Sequence, residues 1–268
     1  MAVNFVSAST QSLQNAAPPA FAYPFTVAMW TVPTGLLASR TYWCWTDNTT
    51  TNNYFELSTT AGGSSQFQAQ AGGSLATMNT TGSSSPLFII ARAISATDKR
   101  LAAFGFNNAI VAQTNSATNA TPTGLNTMVL GARVTSAGTS RSWDGRISEF
   151  WWTNSDIGLG QGALDAPLIQ KLAREGPFSV PHVANNVVEY RSFRDGIQAP
   201  GGGSRETYFG NFGSQVWSAV NAPTLLPAGV AISSLYPRRP SRNNLRSFMP
   251  DVFFGGAIKR RRRLIVLG

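Results

Sequence analysis

Short apolar runs bounded by turn residues recur along this chain, and almost none of them keeps a helical period. Phe25-Thr26-Val27-Ala28-Met29-Trp30, closed off by Pro24 and Pro33, predicts a buried strand. Tyr42-Trp43-Cys44-Trp45 predicts another, with both tryptophans on one face by strand alternation. Tyr54–Leu57 and Gln66–Gln70 flank a loop whose Gly62-Gly63 suits a hairpin. Leu87–Arg92 is a further strand. Lys99–Phe106 and Ala109–Gln113 form a second hairpin across Asn107-Asn108, since Asn tolerates the positive φ of a tight turn. Met128–Arg133, Arg146–Thr153 and Val187–Phe193 complete the series. Ile147, Phe150 and Trp152 cannot share one face of a regular strand, which predicts a β-bulge near Ser148-Glu149.

One helix interrupts the strands. Asp165 is placed as its N-cap, Pro167 lies in its first turn, and Leu168, Ile169 and Leu172 form an apolar stripe before Gly176-Pro177 stops it. The expected span is about 166–175. Beyond Phe193 the pattern changes: Gly201-Gly202-Gly203-Ser204 reads as a spacer, and 205–268 shows no sustained alternation. The division expected is a body over 1–198 and an extended arm over 199–268. The expected class is an all-β, antiparallel jelly-roll sandwich with one short helix and a basic C-terminal arm.

Charge sharpens this division. Charged residues make up 12% of the 268 positions, about half the roughly 25% of ordinary soluble domains. Nine basic residues stand against Asp251 alone in 238–268, so that stretch holds +8 of the chain's formal +9. A near-neutral body with a cationic arm points to a protein that docks onto something larger. The single Cys44 forbids an intrachain disulfide, and with the single His182 it cannot assemble a Cys/His zinc site. No secretory signal is expected, since Arg40 is the first basic residue, and no run reaches the ~20 apolar residues of a membrane span.

Catalytic chemistry finds little to work with. Asp144 and Glu149 are the closest acids on one strand, yet five residues apart, whereas glycosidic cleavage needs two carboxyls facing one groove. His182 has no nucleophile motif near it, and Cys44 between two tryptophans reads as a small buried hydrophobe. The expectation is a protein that is not an enzyme and carries no cofactor. Aromatic residues are the better binding candidates. Most tryptophans of such a sandwich belong in its core; Trp43, Trp45 and above all Trp151 are the candidates for a sugar-stacking rim, because Phe150 and Trp152 claim the inward side.

The arm offers two kinds of contact. Arg238, Arg239, Arg242 and Arg246 lead into Phe253 and Phe254, and Lys259-Arg260-Arg261-Arg262-Arg263 forms a dense cation cluster. With 18 Arg to 3 Lys in the chain, bidentate pairing with carboxylate or phosphate is favoured. An acidic protein surface is the preferred partner, and nucleic acid the less favoured one, where binding would fall steeply with salt. Leu264-Ile265-Val266-Leu267 is apolar and β-prone, suited to strand addition on a neighbouring subunit.

The order of elements in 86–193 resembles the laminin-G/concanavalin-A-like jelly roll in its pentraxin-like variety. The residues that carry this are Arg100-Leu101 through Asn107-Asn108, then Val129-Leu130-Gly131, then Trp143-Asp144-Gly145-Arg146-Ile147-Ser148-Glu149-Phe150 with Trp151–Asn154, ahead of the helix and Val188-Glu189-Tyr190. Calcium-binding members use loop carboxylates; here only Asp47 and Asp144 are placed for that, against the six or more oxygens Ca²⁺ requires. The resemblance extends to jelly-roll proteins among tailed-phage structural genes. It implies a capsid decoration or head-fibre subunit in the virion, attached through the arm to the major capsid protein or another virion protein and assembled as a homo-oligomer. The alternative it leaves open is a carbohydrate-binding adhesin for a host-surface glycan.

Overall fold

A computed structural model describes residues 2–34, 38–82, 86–105, 110–191, 201–202, 212–213, 216–221 and 223–226. The chain divides into two units, Met1–Leu235 and Tyr236–Gly268, and the second lies wholly outside the described residues.

The strands, in chain order, are β1 (Ala2–Phe5), β2 (Ser12–Asn15), β3 (Phe25–Pro33), β4 (Thr41–Thr46), β5 (Asn53–Thr59), β6 (Ser64–Ala71) and β7 (Ser74–Gly82). They continue as β8 (Leu87–Ser95), β9 (Asp98–Gly105), β10 (Ile110–Ser116), β11 (Thr127–Leu130), β12 (Arg133–Thr135), β13 (Gly138–Ser140) and β14 (Gly145–Thr153). Two helices, α1 (Ala166–Glu175) and α2 (Pro181–Ala184), precede β15 (Val187–Arg191), and four short strands follow: β16 (Gly201–Gly202), β17 (Phe212–Gly213), β18 (Ser218–Val220) and β19 (Thr224–Leu226).

Among the described residues these form two antiparallel sheets facing one another, and a separate two-stranded hairpin of β12 and β13. The first runs β10-β9-β8-β3-β14-β15-β17-β16, with β1 and β19 attached beside β14. The second runs β18-β2-β11-β4-β5-β6-β7. One continuous core fills the gap: Phe25, Val27 and Met29 of β3 and Leu87 and Ile89 of β8 meet Trp43 and Trp45 of β4, Phe55 and Leu57 of β5, and Phe67 of β6. Each large apolar side chain buried here contributes roughly 1.5–3 kcal/mol. The all-β jelly-roll sandwich expected from the alternation is therefore the fold of the first unit.

The expected bulge is present. The register of β14 on β3 slips between Ser148 and Trp151, and Glu149 has φ 52°. That one extra residue brings Ile147, Phe150 and Trp152 onto the same core. Met128–Arg133 does not form one strand. Gly131 turns the chain at φ 87°, where a Cβ would lie 2.5 Å from the Phe5 ring, and Arg133 opens the β12–β13 hairpin instead. The two predicted hairpins pair as β5–β6 and β9–β10, although the Asn107-Asn108 turn itself lies outside the described residues. Helix α1 matches its expected span, and Asp165 occupies the N-cap position without a side-chain capping bond.

The boundary at 198/199 is corrected. Trp217 is buried in the sandwich core, β18 pairs with β2, and β19 pairs with β1. The sandwich unit thus recruits strands from well beyond the glycine spacer. Short pieces with one anchoring tryptophan bury too little apolar surface in sequence to register as alternation.

Candidate functional site

The tryptophan rim expected from the sequence is not there. Trp43 and Trp45 are 0% and 1% exposed, and Trp45 packs edge-on to Phe25 at 5.8 Å and tilted against Trp152 at 5.6 Å. Trp151 does point away from Phe150 and Trp152, as alternation requires, but it too is 0% exposed. It joins a second apolar layer outside the first sheet with Phe88 and Trp30, whose Nε1 donates to Ala173 O of α1 at 2.9 Å. A helix laid over that face removes the exposure a sugar would need.

Asp47 and Asp144 do not share a site. Thr41 N, at the start of β4, bonds to Arg141 O just ahead of Asp144, whereas Asp47 follows the far end of the same strand, roughly 17 Å along its axis. Asp47 accepts from Thr49 N at 2.9 Å and Thr49 Oγ1 at 2.6 Å, closing the β4–β5 turn. Burial pushes its pKa up, and the hydrogen bonds from Thr49 and Thr50 outweigh this, leaving it below the ordinary value. Among the described residues no three Asp, Glu, His or Cys side chains converge on one point.

The other sequence candidates are tied into the fold by burial or hydrogen bonds. His182 Nε2 is bonded to Ile157 O at 3.0 Å. Glu149, on the bulge, accepts from Tyr190 Oη. Burial, helped by the Glu56 carboxylate, pushes the Cys44 thiol well above its usual pKa, which disfavours the thiolate form. The arm residues Arg238, Arg239, Arg242, Arg246, Phe253 and Phe254 and the run Lys259–Leu267 lie outside the described residues.

What the fold builds instead is a cleft at the end of the sandwich where β4 begins. Its volume is about 390 Å³, and its walls come from the β1–β2 loop (Ser7, Ala8, Thr10), the approach to β4 (Ala38, Ser39, Arg40) and the end of the β12–β13 hairpin (Thr139 through Ser142). Hydroxyls and two guanidinium groups dominate the lining, and among the described residues no acidic side chain takes part in it. Arg40, Glu56, Arg133 and Arg141 come from two segments, 40–56 and 133–141, separated by the stretches Leu57–Ala91 and Leu101–Ala132, which contain no charged residue.

The two arginines are held from behind. Arg40 is held just ahead of β4: its N donates to Thr59 Oγ1 at 3.0 Å, its O accepts from Thr59 N at 2.7 Å, and its Nη1 donates to Ser142 O at 3.0 Å. Arg141, with φ 51°, pairs through Nη1 with Glu56 Oε2 at 3.2 Å. Glu56 is fully buried on β5, also accepts from Thr41 Oγ1, and faces Arg133 Nη1 at 3.6 Å. The Arg133 guanidinium lies 5.2 Å from the Tyr54 ring centroid, over the Cys44–Val129 face of the second sheet. One carboxylate therefore answers two guanidinium groups, with Arg40 close by, and the cleft is left net positive. Each guanidinium carries five donors, so both retain N–H groups for a ligand.

Sequence reasoning missed this site because its lining is scattered serine and threonine from three separate loops. No spacing or run in the sequence joins Arg40, Glu56, Arg133 and Arg141.

No family model matches the chain, and no curated protein matches it either. Among solved structures, the chain is similar to the carbohydrate-binding module CBM40 of the Ruminococcus gnavus IT-sialidase, bound to α2,3 sialyllactose: 15% identity and TM-score 0.44 over 55% of this chain and 80% of that one. It is similar to the heptameric SAP-like pentraxin of Limulus polyphemus at 13% identity and TM-score 0.46, covering 83% of this chain and 93% of that one. Mouse laminin α1 domains LG4-5 follow at 12% identity and TM-score 0.41, over 57% of this chain and 42% of that one. Likenesses of this size transfer no functional residue to this chain.

Proposed function

We propose that the sandwich is a non-catalytic, lectin-like carbohydrate-binding module and that its ligand is an anionic glycan held in the Arg40–Arg141 cleft. The observation that carries this is the lining: hydroxyl groups for sugar hydroxyls, two anchored guanidinium groups for a carboxylate or sulfate, and, among the described residues, no acidic side chain to repel one. The cleft is shallow and broadly open to solvent, so it would hold one face of a sugar and leave the rest of a glycan in water. Its arginines are oriented before any ligand arrives, which limits the ordering cost of binding.

The test is calorimetric titration of the full chain with acidic and matched neutral oligosaccharides. Binding is expected for the acidic set alone and is expected to be lost in Arg40→Ala, with the circular dichroism spectrum unchanged. Because the cationic arm is intact in that variant, binding that survives Arg40→Ala belongs to the arm and overturns the cleft assignment, as does equal affinity for neutral sugars.

A second reading concerns attachment, and the charge layout favours it. With +8 of the chain's +9 in 238–268, the arm suits an acidic face on a larger assembly, and the tailed-phage resemblance makes a virion shell the natural object. In this reading the sandwich displays the cleft outward while the arm holds the particle. Loss of particle association on deleting 238–268 is the expected result; unchanged association would remove the arm from the account.

A further inference from the structure

The outer face of the first sheet carries two arginines directly opposite one another. Arg92 of β8 is in register with Arg100 of β9, and Arg100 with Asn115 of β10, so the three form one row across the sheet. Like charges in direct cross-strand register are destabilising, and a chain with only 12% charged residues places two here. Each guanidinium is answered along one edge. Arg92 Nε and Nη2 donate to the two carboxylate oxygens of Asp156 at 2.7 and 3.1 Å. Arg100 Nε lies 2.8 Å from Asp98 Oδ1, and its Nη2 donates to Oδ2 at 2.9 Å. Both pairs are bidentate on the Nε–Nη2 edge, which leaves the two Nη1 groups.

Those Nη1 groups meet at one glycine. Arg92 Nη1 donates to Gly162 O at 2.9 Å, which uses one of its two hydrogens. A Cβ on Gly162 would lie 3.3 Å from Arg100 Nη1, which forms no hydrogen bond among the described residues. Here the structure holds a half-enclosed pocket of about 110 Å³, floored by Arg92, Arg100 and Asn115 and roofed by Gly162 to Leu164. The roof is fastened at both ends of one amide: Gln113 Nε2 donates to Leu164 O at 2.8 Å, and Leu164 N donates to Gln113 Oε1 at 2.7 Å. Among the described residues no acidic side chain lines the pocket. Its volume is well below the roughly 300–1,000 Å³ of drug-sized sites, so it suits a single functional group.

We propose that this pocket binds the carboxylate of a small aliphatic acid through Arg92 Nη1 and Arg100 Nη1. Guanidinium N–H groups only donate, so their ligand must accept, and two converging donors match the two oxygens of one carboxylate. Charge selects a monoanion. Asp98 and Asp156 already balance the two guanidinium charges, so the second negative charge of a phosphate or sulfate would stand unanswered. Arg92 is 2% exposed and both arginines are held from behind, which limits the ordering cost of binding. The site is distinct from the Arg40–Arg141 cleft. The chain leaves the cleft to enter β14 at Gly145, whereas Asp156 and Gly162 follow the other end of that nine-residue strand at Thr153.

Titration of the ¹⁵N-labelled full chain with sodium acetate, followed by NMR at constant ionic strength, tests this. Saturable shifts are expected at the Arg92 and Arg100 side-chain N–H groups and at the Gly162 and Ala163 amides. Signals of Arg40 and Arg141 report the cleft separately. Arg100→Gln removes one donor from a partly exposed position and is expected to weaken acetate binding at least tenfold. Gly162→Val fills the pocket while leaving both arginines and is expected to do the same. Inorganic phosphate should bind more weakly than acetate, and a blocked Ala-Glu-Ala peptide should give no tighter binding than acetate. Absence of saturable shifts at these positions, or undiminished binding in Arg100→Gln and Gly162→Val, overturns the site. Tighter binding of phosphate overturns the choice of a monoanion, and tighter binding of the peptide transfers the carboxylate to a protein side chain and overturns the small acid.

Discussion

The Trp217 indole Nε1 donates to Glu189 Oε1 at 2.6 Å, joining a segment beyond the glycine spacer to the closing strand of the first sheet. Arg191 Nε donates to the same oxygen at 2.6 Å, and Trp152 Nε1 to Oε2 at 3.4 Å. Removing the Trp217 donor leaves a buried carboxylate short of a partner, so Trp217→Phe is expected to cost about 1.5–3 kcal/mol. That corresponds to a fall of several degrees in Tm, read by calorimetry. Limited proteolysis of the variant should open the chain ahead of β18, since its anchor is weakened.

Glu189 also sets a pH signature. Burial pushes its pKa above the ordinary 4.5, and Arg191, Trp217 and Trp152 only partly pull it back. The fold therefore binds this proton more tightly than the unfolded chain does. Its contribution is full below pH 4.5 and is lost as pH rises through the raised native value. Melting curves across that interval are expected to show this downward component in the wild type and not in Glu189→Gln.

Much of the sandwich was legible because β3, β4, β8 and β14 carry large apolar residues in strand rhythm. Even the bulge could be read, since Ile147, Phe150 and Trp152 demand it. β1, β2 and β7 were not legible. Their inward positions are few or small, such as Ala76 and Met78 in β7, and serine, threonine and asparagine elsewhere read as loop. The rim assignment failed at Trp151 for a different reason: alternation gives the face of a strand but cannot tell solvent from a helix packed over it. The cleft was invisible because hydroxyls from distant loops have no spacing to recognise.

The opposite pH slope belongs to Asp156. Its carboxylate takes Arg92 Nε at 2.7 Å and Nη2 at 3.1 Å, with Gly158 N and Gly160 N completing the shell. Burial pushes its pKa up, but the Arg92 hydrogen bonds and the two backbone donors outweigh this and leave it below 3.8. Its stabilisation is therefore present above pH 3.8 and lost as pH falls through the lowered native value. Acid unfolding of Asp156→Asn should lack that component. Arg92→Met, which strands the buried carboxylate, is expected to cost about 3–5 kcal/mol by urea titration.

Lys99 gives a third, alkaline signature. Its ammonium is enclosed by Ala96 O, Thr118 O and the Tyr23 ring, 6.0 Å from the centroid. Burial lowers its pKa from 10.5 to about 8, against a small opposing effect of Asp98. Between those values the unfolded chain holds the proton and the fold has released it, so stability rises with pH from about 8 to 10.5. Melting temperatures followed across this interval should rise in the wild type and stay flatter in Lys99→Met.

Glu56 is the residue on which the cleft rests. It touches no ligand position, yet it holds Arg141 at 3.2 Å and Arg133 at 3.6 Å from a fully buried site. Glu56→Gln keeps the shape and one acceptor but withdraws the charge that orients Arg141. Anionic-glycan affinity is expected to fall at least tenfold, about 1.4 kcal/mol, although no direct contact is removed. Glu56→Asp retains the charge on a shorter stem and should recover part of that affinity. If Glu56→Gln bound acidic sugars as tightly as the wild type while melting at a lower temperature, Glu56 would be a stability residue alone, and the ordering of Arg141 would have another source.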